Sequence, residues 1–168
     1  ALGITAQIPE GDRYNYPKSY LLGKLDILMG GRCAEKLIFN DTSTGAGNDI
    51  EVATNIARKM VTEWGMSDVI GPIKFGKKDE EVFLGKELAQ QKNYSEEKSI
   101  IIDNEISTFV KSAEKNANNI LLKYNTQLEL IANELILKET ISGEEMKDLI
   151  INGKSNIVEN SDNKTTET

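Results

Sequence analysis

Between Ser95 and Tyr124 the apolar residues Ile102, Ile106, Phe109, Val110, Ala113, Ala117, Ile120, Leu121 and Tyr124 recur at steps of three and four. That is one face of a 3.6-residue period, and it commits this part of the chain to helix. Ser95 is placed to cap the start, and Glu96 and Glu97 put two carboxylates in the first turn, where the helix dipole favours them. The pattern runs for about thirty residues, or roughly 45 Å at the helical rise. A second helix is expected from Thr126 to Leu137, with Leu128, Ile131, Leu135 and Ala132 facing inward. The short gap between the two makes an antiparallel hairpin the expected arrangement. Ser142-Gly143-Glu144-Glu145 reads as a capping box that opens a last short helix through Met146, Leu149 and Ile150. From Asn152 onward the chain is dominated by Asn, Ser, Thr and Lys, and residues 152–168 read as a disordered tail.

The N-terminal part is organised by two further helices. Ala1 to Ile8 alternates strictly, with Leu2, Ile4, Ala6 and Ile8 on one face, and reads as a short strand. A strand of that length needs a partner, and the sequence opens inside it on Ala1, so the chain is expected to be part of a longer protein. After a loop to Tyr16, Pro17 sets the start of a helix over Lys18 to Phe39. Its stripe is Leu22, Leu25, Met29, Cys33 and Leu37, widened by Leu21, Leu28 and Ile38. Gly30-Gly31 sits in its middle, where each glycine costs about 1 kcal/mol against alanine, so close approach of another backbone is expected there. Glu35 lies one turn further on, directed either to solvent or into the same crowded region. The turn-rich stretch Ser43-Thr44-Gly45-Ala46-Gly47 then feeds a helix expected from Asp49 to Trp64, with Asn48 as its N-cap and Gly65 as its stop. Ala53, Ile56, Ala57, Met60, Val61 and Trp64 form its apolar face. Asp49 is either a simple helix-start acid or a rigidly held metal ligand, and its local sequence does not choose between the two. Gly71-Pro72 is a firm breaker, and Val82-Phe83-Leu84-Gly85 a short apolar clip.

The fold class is therefore mainly α, with one short N-terminal strand. At 168 residues and 39% hydrophobic content the chain has enough for one domain with a real core. The net charge of −7 and the lack of a concentrated Lys/Arg face argue against nucleic acid as a partner. No apolar run approaches the roughly 18 residues of a membrane helix. The single cysteine, Cys33, reads as a small buried residue. There is no histidine, which removes from this chain the commonest zinc ligand and the usual acid–base group.

Several landmarks occur in order: Ala1-Leu2-Gly3-Ile4-Thr5, Asp12-Arg13-Tyr14, Gly30-Gly31-Arg32-Cys33-Ala34-Glu35, Thr44-Gly45-Ala46-Gly47-Asn48-Asp49-Ile50, Met60-Val61-Thr62-Glu63-Trp64-Gly65-Met66-Ser67, Gly71-Pro72, Val82-Phe83-Leu84-Gly85, Tyr94-Ser95-Glu96-Glu97 and Glu139-Thr140-Ile141. Together they resemble the peptidase domain of the FtsH-type AAA proteases, which are membrane-anchored, ATP-dependent zinc metalloproteases. The resemblance covers residues 1–151. It implies a peptidase domain whose H-E-x-x-H helix, carrying two His ligands and a Glu general base, lies before Ala1. It implies Asp49 as the third zinc ligand, and Glu35 as the acid that orients a ligand histidine through its other ring nitrogen. Gly30 and Gly31 would then permit close packing under the metal. It further implies a homo-hexamer with an ATPase domain that uses ATP and Mg, and N-terminal membrane helices. The implied location is the bacterial inner membrane with the peptidase domain facing the cytoplasm, or an organelle membrane in a eukaryote. The implied substrates are unfolded and membrane proteins. With one ligand of three and no general base, these 168 residues alone are expected to be inactive and to bind no zinc tightly. The competing reading is a non-catalytic helical oligomerisation or interaction module, from a relative that lacks the His pair. In that reading Asp49 only starts a helix.

Overall fold

The structure, a computed structural model, describes residues 15–75 and 95–153. The expected strand over Ala1 to Ile8, the Val82 to Gly85 clip and most of the C-terminal tail lie outside them. Every regular element among the described residues is helical: α1 (Lys18–Phe39), a 3-10 turn (Thr44–Ala46), α2 (Gly47–Thr62), α3 (Glu96–Lys123), α4 (Asn125–Lys138) and α5 (Gly143–Asn152). The chain divides into two compact units, Ala1–Asn119 and Ile120–Thr168, so the boundary falls within the last turns of α3.

In the first unit the core forms where α1 and α2 pack on each other. Leu21, Leu25, Met29 and Cys33, each four residues after the last, supply the buried stripe of α1. Ile38, expected to widen it, is half exposed, because α1 ends one residue later at Phe39 and the left-handed φ of 52° at Asn40 turns the chain away. On α2, Ala53, Ala57, Met60 and Val61 are fully buried, and the two alanines leave little side chain between the helix axes. The α2 helix ends at Thr62, earlier than expected, so Trp64 lies beyond it and is 45% exposed. Gly65 does provide the stop, with φ +59°. A Cβ there would lie 2.8 Å from the Cα of Pro72, so the loop after α2 folds back against this glycine. That loop closes with Phe75 N–H donating to the Thr62 carbonyl at 2.7 Å.

The core residues of α3 are Ile102, Ile106, Ala113 and Ala117, as its period predicts. Ser67, on the loop after α2, donates to Glu105 of α3 at 2.6 Å and accepts from the Ile70 amide. The Cys33 thiol donates to the Glu114 carbonyl at 3.4 Å, and the Arg32 guanidinium pairs with the Glu114 carboxylate at 3.3 Å. These contacts fix α3 on α1. Ile120 and Tyr124, placed in the inner stripe on periodicity, are 52% and 41% exposed, since the stripe of the first unit ends at Ala117.

In the second unit α4 and α5 pack on each other. The capping box is present as expected: the Ser142 hydroxyl accepts from the Glu145 amide, and the Glu145 carboxylate accepts from the Ser142 amide at 2.8 Å. The inward face of α4 differs from expectation. Leu135 is 40% exposed and Ala132 is exposed, whereas Glu134 is buried with its carboxylate 2.6 Å from Lys138. Lys138 also reaches Glu145 at 3.2 Å, so the face of α4 that meets α5 is organised by charge rather than by leucine. Of the expected core of α5, Leu149 is buried, but Met146 and Ile150 are 38% and 40% exposed.

Candidate functional site

The stretch that carries Asp49 is built from its loop upward. Ser43 is extended, with φ −104° and ψ 173°, and caps the 3-10 turn through its hydroxyl, which accepts from the Gly45 amide at 3.1 Å. The Gly47 amide donates back to the Thr44 carbonyl, and the helical path of α2 starts without a break. Asn48 is therefore not the N-cap. It lies inside the first turn, and Ala46 holds the cap position with no side-chain bond. The 3-10 turn supplies early carbonyl acceptors, which removes the need for an Asn oxygen. Ala46 is buried and anchors the turn against α1 and α2.

Asp49 occupies the first turn of α2, as the sequence implies. It is half-buried, and its carboxylate makes no hydrogen bond or ion pair among the described residues. Its oxygens are not among the buried atoms that lack a partner, so solvent reaches the carboxylate. Glu35 reaches from α1 to the loop before α2 on an exposed face. Its two carboxylate oxygens accept from the Ser43 amide and the Ser43 hydroxyl, each at 2.9 Å. The Ser43 amide and then its hydroxyl hold the Glu35 carboxyl below the usual carboxylate range; burial opposes them, and Arg32 adds a smaller favourable field. Glu35 also lines a shallow, open depression with Phe39, Asp41, Thr42 and Ser43. Gly30 and Gly31 do not meet the expected close neighbour: a Cβ on either contacts nothing within 4 Å among the described residues.

Cys33 fits its reading as a packing residue. Burial, reinforced by the Glu114 carboxylate, pushes its thiol pKa up, which suppresses the nucleophilic thiolate. Among the described residues no three His, Cys, Asp or Glu side chains gather closely enough to hold a metal ion. Ser43 is the residue that sequence reasoning missed. Its signal is a serine two positions before a glycine, the pattern of a local hydroxyl-to-amide turn. No helix among the described residues is long and apolar enough to cross a membrane.

The sequence profile described as Peptidase family M41 matches residues 1–149. The chain is 45% identical over 159 residues to a protein of Thermotoga maritima named "ATP-dependent zinc metalloprotease FtsH", covering 95% of this chain and 26% of that protein. It is 49% identical over 152 residues to "ATP-dependent zinc metalloprotease FtsH 1" of a Thermoanaerobacter species, covering 90% of this chain and 25% of the relative. A Sphaerobacter thermophilus protein of the same name is 48% identical over 147 residues, covering 88% of this chain and 22% of the relative. The chain thus spans about a quarter of the length of the curated relatives it matches. With a profile match over most of its length and relatives at this level of identity, the chain belongs to peptidase family M41.

Proposed function

We propose that this chain forms part of the proteolytic domain of a membrane-anchored, ATP-dependent zinc metalloendopeptidase that degrades unfolded and membrane proteins. The observation that supports the reading most is Asp49: a half-buried carboxylate without a partner among the described residues, held in the first turn of α2. Asp49 contributes one oxygen ligand to zinc. Two histidines and a glutamate general base come from an H-E-x-x-H helix outside these 168 residues, since the chain holds no histidine. When bound, zinc activates a water and polarises the scissile carbonyl. The part of this chain is to hold the Asp49 carboxylate in place through α2, whose buried face of Ala53, Ala57, Met60 and Val61 locks the helix on α1. Glu35 retains unused lone pairs beside its bonds to Ser43, and these can accept the free N–H of a ligand histidine. The whole protein assembles as a homo-hexamer, uses ATP and Mg in a separate domain, and is anchored by membrane helices elsewhere in its sequence. Its peptidase domain faces the cytoplasm at the bacterial inner membrane, or the corresponding compartment of an organelle membrane.

The test is casein cleavage. The longer protein with the His helix should cleave casein in a chelator-sensitive manner, and Asp49→Asn should abolish this. The 168-residue chain alone should show neither cleavage nor tight zinc binding. Chelator-sensitive cleavage by the chain alone would contradict the reading.

A further inference from the structure

From the bonds between α1 and the loop before α2, we infer that Glu35 and Ser43 form a clamp that positions Asp49, so that Glu35 acts on the metal site through Ser43 and not only through a histidine. The inference rests on the proposed role of Asp49 as a ligand. Both Glu35 oxygens are engaged at 2.9 Å, one by the Ser43 amide and one by its hydroxyl. The same hydroxyl accepts from the Gly45 amide at 3.1 Å, and the Gly47 amide bonds to the Thr44 carbonyl. Hydrogen bonds thus join Glu35 to Ser43 and Ser43 to Gly45, the Gly47–Thr44 bond closes the turn that follows, and Asp49 comes two residues after Gly47 in the first turn of α2. Ala46, buried between the same elements, gives the turn a second anchor. The space is tight as well: a Cβ on Gly45 would lie 3.1 Å from the Ser43 hydroxyl oxygen and 3.5 Å from the Glu35 carboxylate, so Gly45 lets the clamp close.

The clamp fixes where the 3-10 turn begins and hence the rotational setting of the first turn of α2. A metal ligand must be held to within a fraction of an ångström, and in the exposed loop from Asn40 to Ser43 the other side-chain bond, from the Thr42 amide to Asp41, stays within the loop. Ser43 and Glu35 are positioning residues, and neither touches the metal in this account.

Two measurements test it. In the 168-residue chain, amide hydrogen exchange at Ser43 and Gly45 should accelerate in Ser43→Ala and in Glu35→Ala, while exchange in the middle of α1 is unchanged, which excludes general unfolding. In the longer protein with the His helix, zinc affinity measured by competition with a chromophoric chelator should fall about 10- to 100-fold in Ser43→Ala, the range for residues that support metal ligands. Ser43→Thr, which keeps the hydroxyl, should restore it. Ser43→Ala combined with Glu35→Ala should bind zinc no more weakly than Glu35→Ala alone, because the two residues act as one unit. Unchanged zinc affinity in Ser43→Ala, or losses that simply add, would overturn the clamp and leave Glu35 acting through a histidine only. Wild-type zinc affinity in Asp49→Asn would instead overturn the ligand reading, and the clamp with it.

Discussion

Ser142 and Glu145 are three residues apart, and Ser43 and Glu35 are eight apart, yet both pairs satisfy the backbone at the start of a helical segment with a serine hydroxyl and a glutamate carboxylate. In the second unit the box is closed within one turn of α5. The hydroxyl accepts from the Glu145 amide and the carboxylate from the Ser142 amide, so nothing beyond the helix itself is needed. In the first unit the carboxylate comes from the preceding helix. It reaches Ser43 only if α1 and the turn are already packed. A local box reports on its own helix, whereas the Glu35–Ser43 pair reports on the core that places α1 beside α2. The setting of Asp49 is therefore a tertiary property, and the start of α5 is not.

The strongest way to break this contrast is to cut into the core of the first unit. Leu25→Ala or Met60→Ala, at positions fully shielded from solvent, should cost about 2–5 kcal/mol in urea unfolding. Amide exchange at Ser43 and Gly45 should rise with it, and that at Glu145 should not. Equal acceleration at both serine–glutamate pairs would mean that the α5 box also depends on the first unit. At the far end of α2, Gly65→Ala forces a left-handed backbone on a residue with a Cβ and drives that Cβ into Pro72. It should cost about 1–3 kcal/mol from the backbone alone, read in the same unfolding experiment. Ser142→Ala should cost about 1 kcal/mol, and faster exchange should be confined to the first turn of α5.

The smallest effect is in pH. The Ser142 amide and hydroxyl, followed by Lys138, lower the Glu145 pKa from the ordinary 4.5 to about 2. A carboxyl with a depressed folded-state pKa binds protons more weakly when folded, so its stabilisation is complete above 4.5 and is lost as pH falls toward 2. The Glu35 carboxyl is lowered too, for the analogous reason, and its contribution also disappears on acidification. An NMR titration of the two carboxyls should place the Glu145 midpoint near 2. In Ser142→Ala, which keeps the residue 142 amide and Lys138, it should rise but stay below 4.5, with the Glu35 midpoint unmoved.

What the sequence made legible follows the same division. The bounds of α1 at Lys18 and Phe39 and the capping box of α5 rest on signals within a few residues, and the structure reproduces both. The errors came where distant packing decides. Asn48 has the right chemistry for a cap, but a 3-10 turn supplied by the preceding loop takes over its task. Leu135 and Ala132 fit a helical stripe, but Lys138 turns the buried face of α4 toward Glu134 and Glu145. Gly30-Gly31 suggested a crowded helix, yet no described neighbour comes near. Periodicity could place Asp49 on a helix start and no further; only the ordered family motifs gave it a chemical role. The Glu35–Ser43 pair lay beyond both, because an eight-residue separation across a loop leaves no periodic trace.

In the function proposed above, α2 presents the Asp49 carboxylate to a zinc ion whose other ligands lie outside these 168 residues. Zinc content tests it most directly, measured on the longer protein with the His helix beside its Asp49→Asn variant. About one zinc per chain is expected in the former, and loss of that zinc in the latter. Equal zinc in both would contradict it and would leave Glu35 as the next carboxylate to examine.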